Sequence, residues 1–108
     1  MSISYEEFSK IELKVATVKD AIRLGGSDKL IKLQVDLGDE SRQLVAGIGK
    51  KYTPEELIGR QIVIVANLES RKLMGEESQG MLLAAKDVEG SPVLLIPEKP
   101  VPPGSKIS

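Results

Sequence analysis

The chain has 108 residues, of which 41% are apolar and 29% charged, and fifteen Lys and Arg face sixteen Asp and Glu for a net charge of −1. This composition is typical of one folded globular domain, and the near-neutral charge argues against a polycation that coats DNA or an anionic membrane. Cysteine and histidine are absent, which excludes disulfides, Cys/His zinc sites, cysteine nucleophiles and histidine general bases.

The N-terminal half predicts a short helix followed by strands. Ser4-Tyr-Glu-Glu7 has the form of a capping box, so a helix is expected within residues 1–10. Apolar and polar residues alternate from Ile11 onward, and a shift of phase after Ala16 predicts a bulge in one long first strand. After a Gly-Gly-Ser-Asp turn, residues 30–37 alternate strictly, which predicts a half-buried second strand.

A third strand, one helical turn and a fourth strand come next. Residues 42–48 form the third strand, which closes a hairpin with the second. Thr53-Pro-Glu-Glu56 combines an N-cap threonine with proline at the first helical position, and so predicts a short helix. The fourth strand, residues 61–67, is apolar at nearly every position, so both of its faces should be covered.

The last third of the chain is less regular. Residues 68–79 are polar and predict an irregular loop, residues 80–86 a fifth strand and residues 93–96 a short sixth one. Several short strands with one helix after the third predict an all-β Greek-key barrel, and the five-stranded OB barrel is the best match. The expected organisation is a single domain, residues 1–108, made of an N-terminal helix (1–10), a barrel (11–86) and a C-terminal extension (87–108).

No motif of catalysis is complete. Gly47-Ile-Gly49-Lys50-Lys51 resembles a phosphate loop only in part, because a lysine replaces the final Ser or Thr and Leu44 stands where the first glycine belongs. The plainer interpretation is a strand end that leads into a turn. We expect no enzymatic activity, no metal site and no cofactor.

The charges are segregated along the chain. Residues 10–32 carry a net +3 and residues 42–60 a net +2, whereas residues 33–41 carry −3. Such segregation can place a basic face on a neutral protein, as nucleic-acid binders do, or it can produce an ordinary mixed surface. The first ten residues are polar, unlike an export signal, and no apolar run approaches the roughly 20 residues of a membrane span, so we expect a cytoplasmic protein.

An ordered set of motifs fills residues 67–85. It consists of Asn67-Leu68, the basic pair Arg71-Lys72, Gly75, Ser78-Gln79-Gly80-Met81 and a small apolar strand, with Ser27-Asp-Lys-Leu30 and Tyr52-Thr-Pro-Glu-Glu-Leu57 upstream. The chain is thereby similar to the tRNA-binding domain attached to methionyl-tRNA synthetases, which also occurs in free-standing structure-specific tRNA-binding proteins and in the endothelial-monocyte-activating polypeptide. The resemblance implies an OB barrel that recognises folded tRNA by its backbone and shape, as the C-terminal domain or a separate subunit of a methionyl-tRNA synthetase.

The resemblance also implies which residues contact tRNA: Lys32, Arg42, Asn67, Arg71, Lys72, Ser78 and Met81. The cations would neutralise phosphates, the amide and hydroxyl would bind sugar or phosphate oxygens, and the methionine would touch an exposed base. Structural roles compete for three of these residues. Asn67 could cap the loop backbone, Ser78 could only close the turn, and Met81 could belong to the core.

Departures from the family pattern lower the expected affinity. Glu69 and Met74 stand where relatives are often basic, and Glu76 and Glu77 add negative charge to the same segment. We therefore expect weaker tRNA binding than in more basic relatives.

Aromatic residues and the C-terminal tail bear on the remaining alternatives. The three aromatic residues lie outside the expected central strands, so the base-stacking platform of single-strand binders is not expected.

The alternative function is a homodimerisation module with only weak, nonspecific RNA binding, since family members commonly form homodimers. Residues 93–96 and 101–104 are more apolar than a free tail needs, although they could equally close the bottom of a monomeric barrel.

Overall fold

A computed structural model describes all 108 residues and contains two short helices and ten strands. In chain order the elements are α1 (Tyr5–Phe8), β1 (Leu13–Arg23), β2 (Ile31–Asp36), β3 (Ser41–Ala46), α2 (Pro54–Leu57), β4 (Gln61–Val65), β5 (Arg71–Leu73), β6 (Glu76–Ser78), β7 (Met81–Leu82), β8 (Ala84–Lys86), β9 (Pro92–Leu94) and β10 (Lys106–Ile107). The fold is all-β and OB-like, which confirms the predicted class. Neither helix has the length and apolar character needed to cross a membrane.

Both helices begin at the capping boxes read from the sequence. The Oγ of Ser4 accepts the backbone N–H of Glu7 at 3.0 Å, and the Glu7 carboxylate accepts the N–H of Ser4 at 3.1 Å. Thr53 and Glu56 repeat this exchange at α2. The backbone N–H of Thr53 donates to Glu56 and holds the pKa of that carboxyl below its usual range. Each helix is a single turn whose first N–H groups are satisfied locally.

A curled antiparallel sheet with the strand order β3-β2-β1-β4-β7 forms a half-barrel. The long strand β1 is shared, because it pairs with β4 through residues 13–17 and with β2 through residues 17–23. The register of the second pairing shifts between Val18 and Asp20. A bulge bends a strand and increases its twist, so this shift turns β1 from one partner to the other. The sequence predicted the bulge slightly too early, after Ala16.

The core lies inside the curl. Ile31, Leu33 and Val35 of β2 are buried while the polar residues between them are half-buried, as the strict alternation predicted. In β4, Ile62 and Ile64 are buried, whereas the residue between them is only half-buried. One face of β4 is therefore fully covered and the other only in part, which corrects the expectation that both faces are covered.

The segment predicted to be an irregular loop, residues 68–79, contains the β5–β6 hairpin instead. Its two-residue turn is Met74-Gly75, with φ of 50° and 81°. Both values are positive, as the type I′ turn of a tight hairpin requires. The usual signal for this turn is Asn-Gly or Asp-Gly, so a methionine at the first position conceals the hairpin from sequence reasoning. The predicted fifth strand is also interrupted, at Leu83, between β7 and β8.

The C-terminal tail returns to the barrel. Strand β10 pairs with the start of β1, and the Gln61 side chain donates to the Val101 carbonyl at 2.6 Å and accepts its N–H at 3.0 Å. Gly104 has a φ of 88° and lies against the Leu37 carbonyl so closely that no side chain fits. The tail therefore covers the turn between β2 and β3 by backbone contacts that only glycine allows.

We expect Gly104→Ala to lower the free energy of unfolding by at least about 2 kcal/mol, because the new methyl group meets both an unfavourable φ and the Leu37 carbonyl. Gly90→Ala is the matched control, since Gly90 has a φ of 81° but open space around it. It should lose only about 1 kcal/mol from the backbone conformation. Urea unfolding measures both values, and equal losses would contradict the close packing of the tail.

Candidate nucleic-acid interface

Residues 78 and 79 close the free edge of the sheet at β3. The backbone N–H of Val45 donates to the Oγ of Ser78 at 3.0 Å, and that of Gln43 donates to the side-chain oxygen of Gln79 at 3.0 Å. The N–H of Gln79 in turn donates to the Gln43 carbonyl at 2.8 Å. Because an edge strand otherwise leaves such groups unpaired, these bonds replace a neighbouring strand. They also fix the position of the hairpin that ends at Ser78.

Further polar contacts hold the β5–β6 hairpin over β2 and β3. The Nζ of Lys32 lies 3.3 Å from the Oε1 of Glu76, and the Nε2 of Gln43 donates to the Glu77 carbonyl at 2.8 Å. The structure therefore places Lys32 beside the hairpin that carries Arg71 and Lys72.

Arg71 and Lys72 project from opposite faces of the hairpin, because successive side chains of a strand alternate. Arg71 is paired with Ser78, whose side chain faces β3, and Lys72 is paired with Glu77 on the outer face. Both cations are exposed, and neither forms an ion pair. They are the predicted cations that remain available to a phosphate.

Arg42 is engaged with protein groups. Its Nε lies 2.7 Å from the Oε1 of Glu40, and its Nη1 donates to the carbonyls of Ala66 and, at 3.3 Å, Gln79. The hydrogen bond from Arg42 holds the pKa of Glu40 below its usual range. Arg42 thus shares the side of the molecule that carries the hairpin, but its guanidinium joins β3 to the segments on either side of the hairpin.

Asn67 and Ser78 also bind the backbone. The Oδ1 of Asn67 accepts the N–H of Glu12 at 2.9 Å, and its Nδ2 donates to the Lys10 carbonyl at 2.6 Å. Ser78 is only 3% exposed, and its hydroxyl donates to the Gly80 carbonyl at 3.0 Å while it accepts from β3. The geometry favours the competing structural roles of both residues, and their contact with RNA stays a prediction.

Met81 borders a cavity between the end of β3, the segment after β4 and the hairpin. The cavity has a volume of about 250 Å³, and apolar side chains such as Leu68, Leu73 and Leu82 line it together with Arg71 and Glu69. Met81 is 49% exposed, so it does not belong to the core. An apolar hollow beside an exposed cation suits a nucleotide, because the base and the phosphate require these two environments.

Carboxylates balance the predicted cations on this side of the molecule. The cations are Lys32, Arg42, Arg71 and Lys72, and the carboxylates are Glu40, Glu69, Glu76 and Glu77. The hairpin surface is therefore close to neutral, and its attraction for phosphate depends on the two cations that lack ion pairs.

Sequence reasoning missed the role of Gln43 and Gln79, which together close the edge of β3. Gln43 also accepts a hydrogen bond from Gln34 on β2, at 3.0 Å. The available signal in the sequence was a glutamine in each of two neighbouring strands, Gln34 and Gln43. Only the pairing register of β2 and β3 shows that these two side chains meet.

The model of the family described as "Putative tRNA binding domain" matches residues 13–106. Methionine–tRNA ligase of Caldanaerobacter subterraneus is 58% identical over 106 residues, which cover 98% of this chain and 16% of that protein. Methionine–tRNA ligase of Thermotoga maritima is 50% identical over 107 residues, which cover 99% of this chain and 17% of that protein. The chain thus spans a small part of the length of these relatives.

Solved structures agree with the sequence matches. A MetRS related protein from Pyrococcus horikoshii superimposes with a TM-score of 0.94 at 40% identity, covering 100% of this chain and 99% of that one. The chaperone CsaA of Bacillus anthracis superimposes with a TM-score of 0.91 at 34% identity, covering 100% of both chains.

We expect Ser78→Ala to lower the free energy of unfolding by about 1–3 kcal/mol, because it leaves the buried N–H of Val45 without a partner. Ser70→Ala is the control, since Ser70 is exposed and should change stability by less than about 0.5 kcal/mol. Urea unfolding compares the two variants. Equal stability would show that the Ser78 hydroxyl does not support the edge of β3.

Proposed function

This chain belongs to the tRNA-binding domain family, and we propose that it is a non-catalytic module that holds folded tRNA by its backbone and shape. The observation that carries the proposal is a hairpin fixed rigidly over β2 and β3 whose two exposed cations, Arg71 and Lys72, have no ion-pair partner. Arg71 offers a bidentate fork and Lys72 a point charge to phosphate oxygens. The cavity beside Arg71 and Met81 can receive one exposed base.

The positions of the aromatic residues favour folded RNA over an unstructured strand. Tyr52 is half-buried against the core, and its hydroxyl accepts the N–H of Leu94 at 3.1 Å. Tyr5 and Phe8 belong to α1 and line a small hollow beside β10, so neither is a residue of a central strand. OB domains that bind single strands gain about 1–3 kcal/mol per stacked base, and no such platform exists on the strands here.

We further propose that the module acts with a methionyl-tRNA synthetase, as its C-terminal domain or as a separate subunit, in the cytoplasm. The support is the identity of 58% to a methionine–tRNA ligase of which the chain covers only 16%. The aminoacylation reaction would belong to the part of such an enzyme that this chain does not span. A weak additional contact to the same tRNA would raise the overall affinity through effective concentration.

Replacing both hairpin cations, in the variant Arg71→Gln/Lys72→Gln, should weaken tRNA binding and flatten its salt dependence. For about three to five neutralised phosphates, the slope of log K against log [salt] should be roughly −2 to −4.5 in the unmodified protein. In the variant the magnitude of this slope should fall by roughly 2, which is about one for each phosphate contact that is removed. Titration of intact tRNA at several salt concentrations measures both slopes.

The matched control is Lys19→Gln/Lys99→Gln, which removes the same charge from two exposed lysines that are not among the predicted contacts and do not line the cavity beside Arg71. Lys19 lies at the bulge of β1, and Lys99 lines a groove beside the first residue of β4, whereas the hairpin lies beyond the other end of β4. If both double variants weaken binding equally, the binding is only nonspecific electrostatic attraction. The same conclusion follows if the protein binds tRNA, an unstructured RNA and a DNA duplex equally well.

Homodimerisation is a second candidate function, and the exposed face of β9 favours it. Leu94 is buried, whereas its neighbours Val93 and Leu95 are 46% and 43% exposed and Ile96 is 60% exposed. A contiguous apolar strip of this kind is characteristic of protein contacts. Residues 101–104, by contrast, are occupied by contacts within the same chain. Pairing two weak RNA sites would raise the effective affinity.

Sedimentation equilibrium at micromolar concentration should give twice the mass of 11.7 kDa. Leu95→Glu should shift the mass to that of the monomer, because it places a charge in the apolar strip. Val88→Glu is the control, since Val88 is fully exposed in the turn before β9. A monomeric mass for the unmodified protein would exclude the dimer.

A further inference from the structure

A second basic site adjoins the hairpin surface. A pocket with a volume of about 190 Å³ is lined by Lys29, Lys50, Lys51 and Ser91, and by Gly47. Gly47 also lines the cavity beside Arg71, so the two hollows meet at this residue. The three lysines belong to none of the tRNA contacts predicted from the sequence. Two of them come from the Gly47-Ile-Gly49-Lys50-Lys51 stretch, which resembled a phosphate loop only in part.

Close backbone contacts bring these lysines together. The N–H of Gly49 donates to the Lys29 carbonyl at 2.7 Å, and Arg23 donates to the carbonyls of Gly49 and Asp28 at 2.8 and 3.0 Å. A Cβ atom on Gly49 would lie 2.8 Å from the Lys29 carbonyl oxygen, so the two segments can approach only because residue 49 is glycine. The side chain of Lys29 then extends over Gly47, whose own Cβ would lie 2.8 Å from the Lys29 Cε.

The lining of this lysine pocket suits an anion. It contains three ammonium groups and no carboxylate, and the Ser91 hydroxyl makes no hydrogen bond within the protein. A concave surface of one sign concentrates ligands of the opposite charge.

Two carboxylates lie near the lysine pocket, and neither occupies it. The Nζ of Lys50 is 4.0 Å from the Oδ2 of Asp28, but both side chains are largely exposed. Asp87 accepts the backbone N–H groups of Ser91 and Glu89, and the first of these contributes most to holding its pKa below the usual range. An exposed pair at the distance between Lys50 and Asp28 contributes little and exchanges readily with a phosphate.

We propose that the lysine pocket binds a phosphate group of the tRNA whose neighbouring nucleotide occupies the cavity beside Arg71. This inference rests on the proposed function, because it assigns a second contact to the same ligand. It explains how a hairpin surface with balanced charge belongs to a tRNA-binding protein, since Lys29 and Lys51, which form no ion pair, add positive charge across Gly47. Phosphate contacts of this kind fix the register of a nucleic acid without reading its sequence.

Lysine acetylation in the presence of tRNA tests the proposal directly. The intact protein is treated with acetic anhydride with and without saturating tRNA, and the modified lysines are quantified by mass spectrometry. We expect tRNA to protect Lys29, Lys50 and Lys51 as well as Lys72, while Lys19 and Lys99 react at unchanged rates. Protection of Lys72 alone would overturn the lysine pocket and leave the proposed function standing. Absence of tRNA binding would overturn both.

Charge-removing variants give an independent measurement. Lys50→Gln/Lys51→Gln should reduce the magnitude of the slope of log K against log [salt] by roughly 1 to 2. The melting temperature should stay unchanged, because both side chains are exposed. The Lys19→Gln/Lys99→Gln variant again serves as the control. An unchanged slope in the lysine-pocket variant would overturn the inference, even when Arg71→Gln/Lys72→Gln flattens it as expected.

Discussion

The free edge of β3 is the constraint on which the rest of the site depends. A strand at the edge of a curled sheet has N–H groups that must find acceptors, and here Ser78 and Gln79 supply them from outside the ladder. The hairpin ends at Ser78, so the same bonds that complete the barrel also set the position of Arg71 and the width of the cavity beneath it. Stability and binding geometry therefore have a common origin.

This arrangement divides the predicted tRNA contacts into two kinds of residue by their contacts. Asn67 and Ser78 direct their polar atoms at backbone groups of the protein, and Arg42 directs its guanidinium at backbone carbonyls and at the Glu40 carboxylate. Arg71 and Met81 are exposed and border the cavity. A side chain of the first kind acts on a ligand through the position of the loop, so its replacement should act mainly through folding and geometry. A side chain of the second kind can touch the ligand itself.

Local signals in the sequence were sufficient for the parts of the fold that depend on local physics. The capping boxes at Ser4 and Thr53 and the strict alternation of β2 each involve residues a few positions apart. The β5–β6 hairpin could not be predicted, because Met74 adopts a left-handed conformation that costs a non-glycine residue roughly 1–2 kcal/mol. The contacts that fix this hairpin from outside, such as Lys32 with Glu76, join residues far apart in the chain and compensate for that cost.

The same limit applies to the site. The family resemblance identified the basic pair, but adjacent residues in a strand face opposite sides, so Arg71 and Lys72 cannot form one patch. A protein with a net charge of −1 then binds a polyanion only where cations are separated from carboxylates. In the proposed arrangement this happens at the lysine pocket, and the hairpin adds Arg71 and Lys72, which form no ion pair. The barrel holds these two places at a fixed separation. A folded tRNA already presents its phosphates in a fixed arrangement, whereas a flexible strand must lose conformational entropy to meet both places. In this proposal, selection for folded RNA follows from the fixed geometry of the barrel and needs no contact that reads a base.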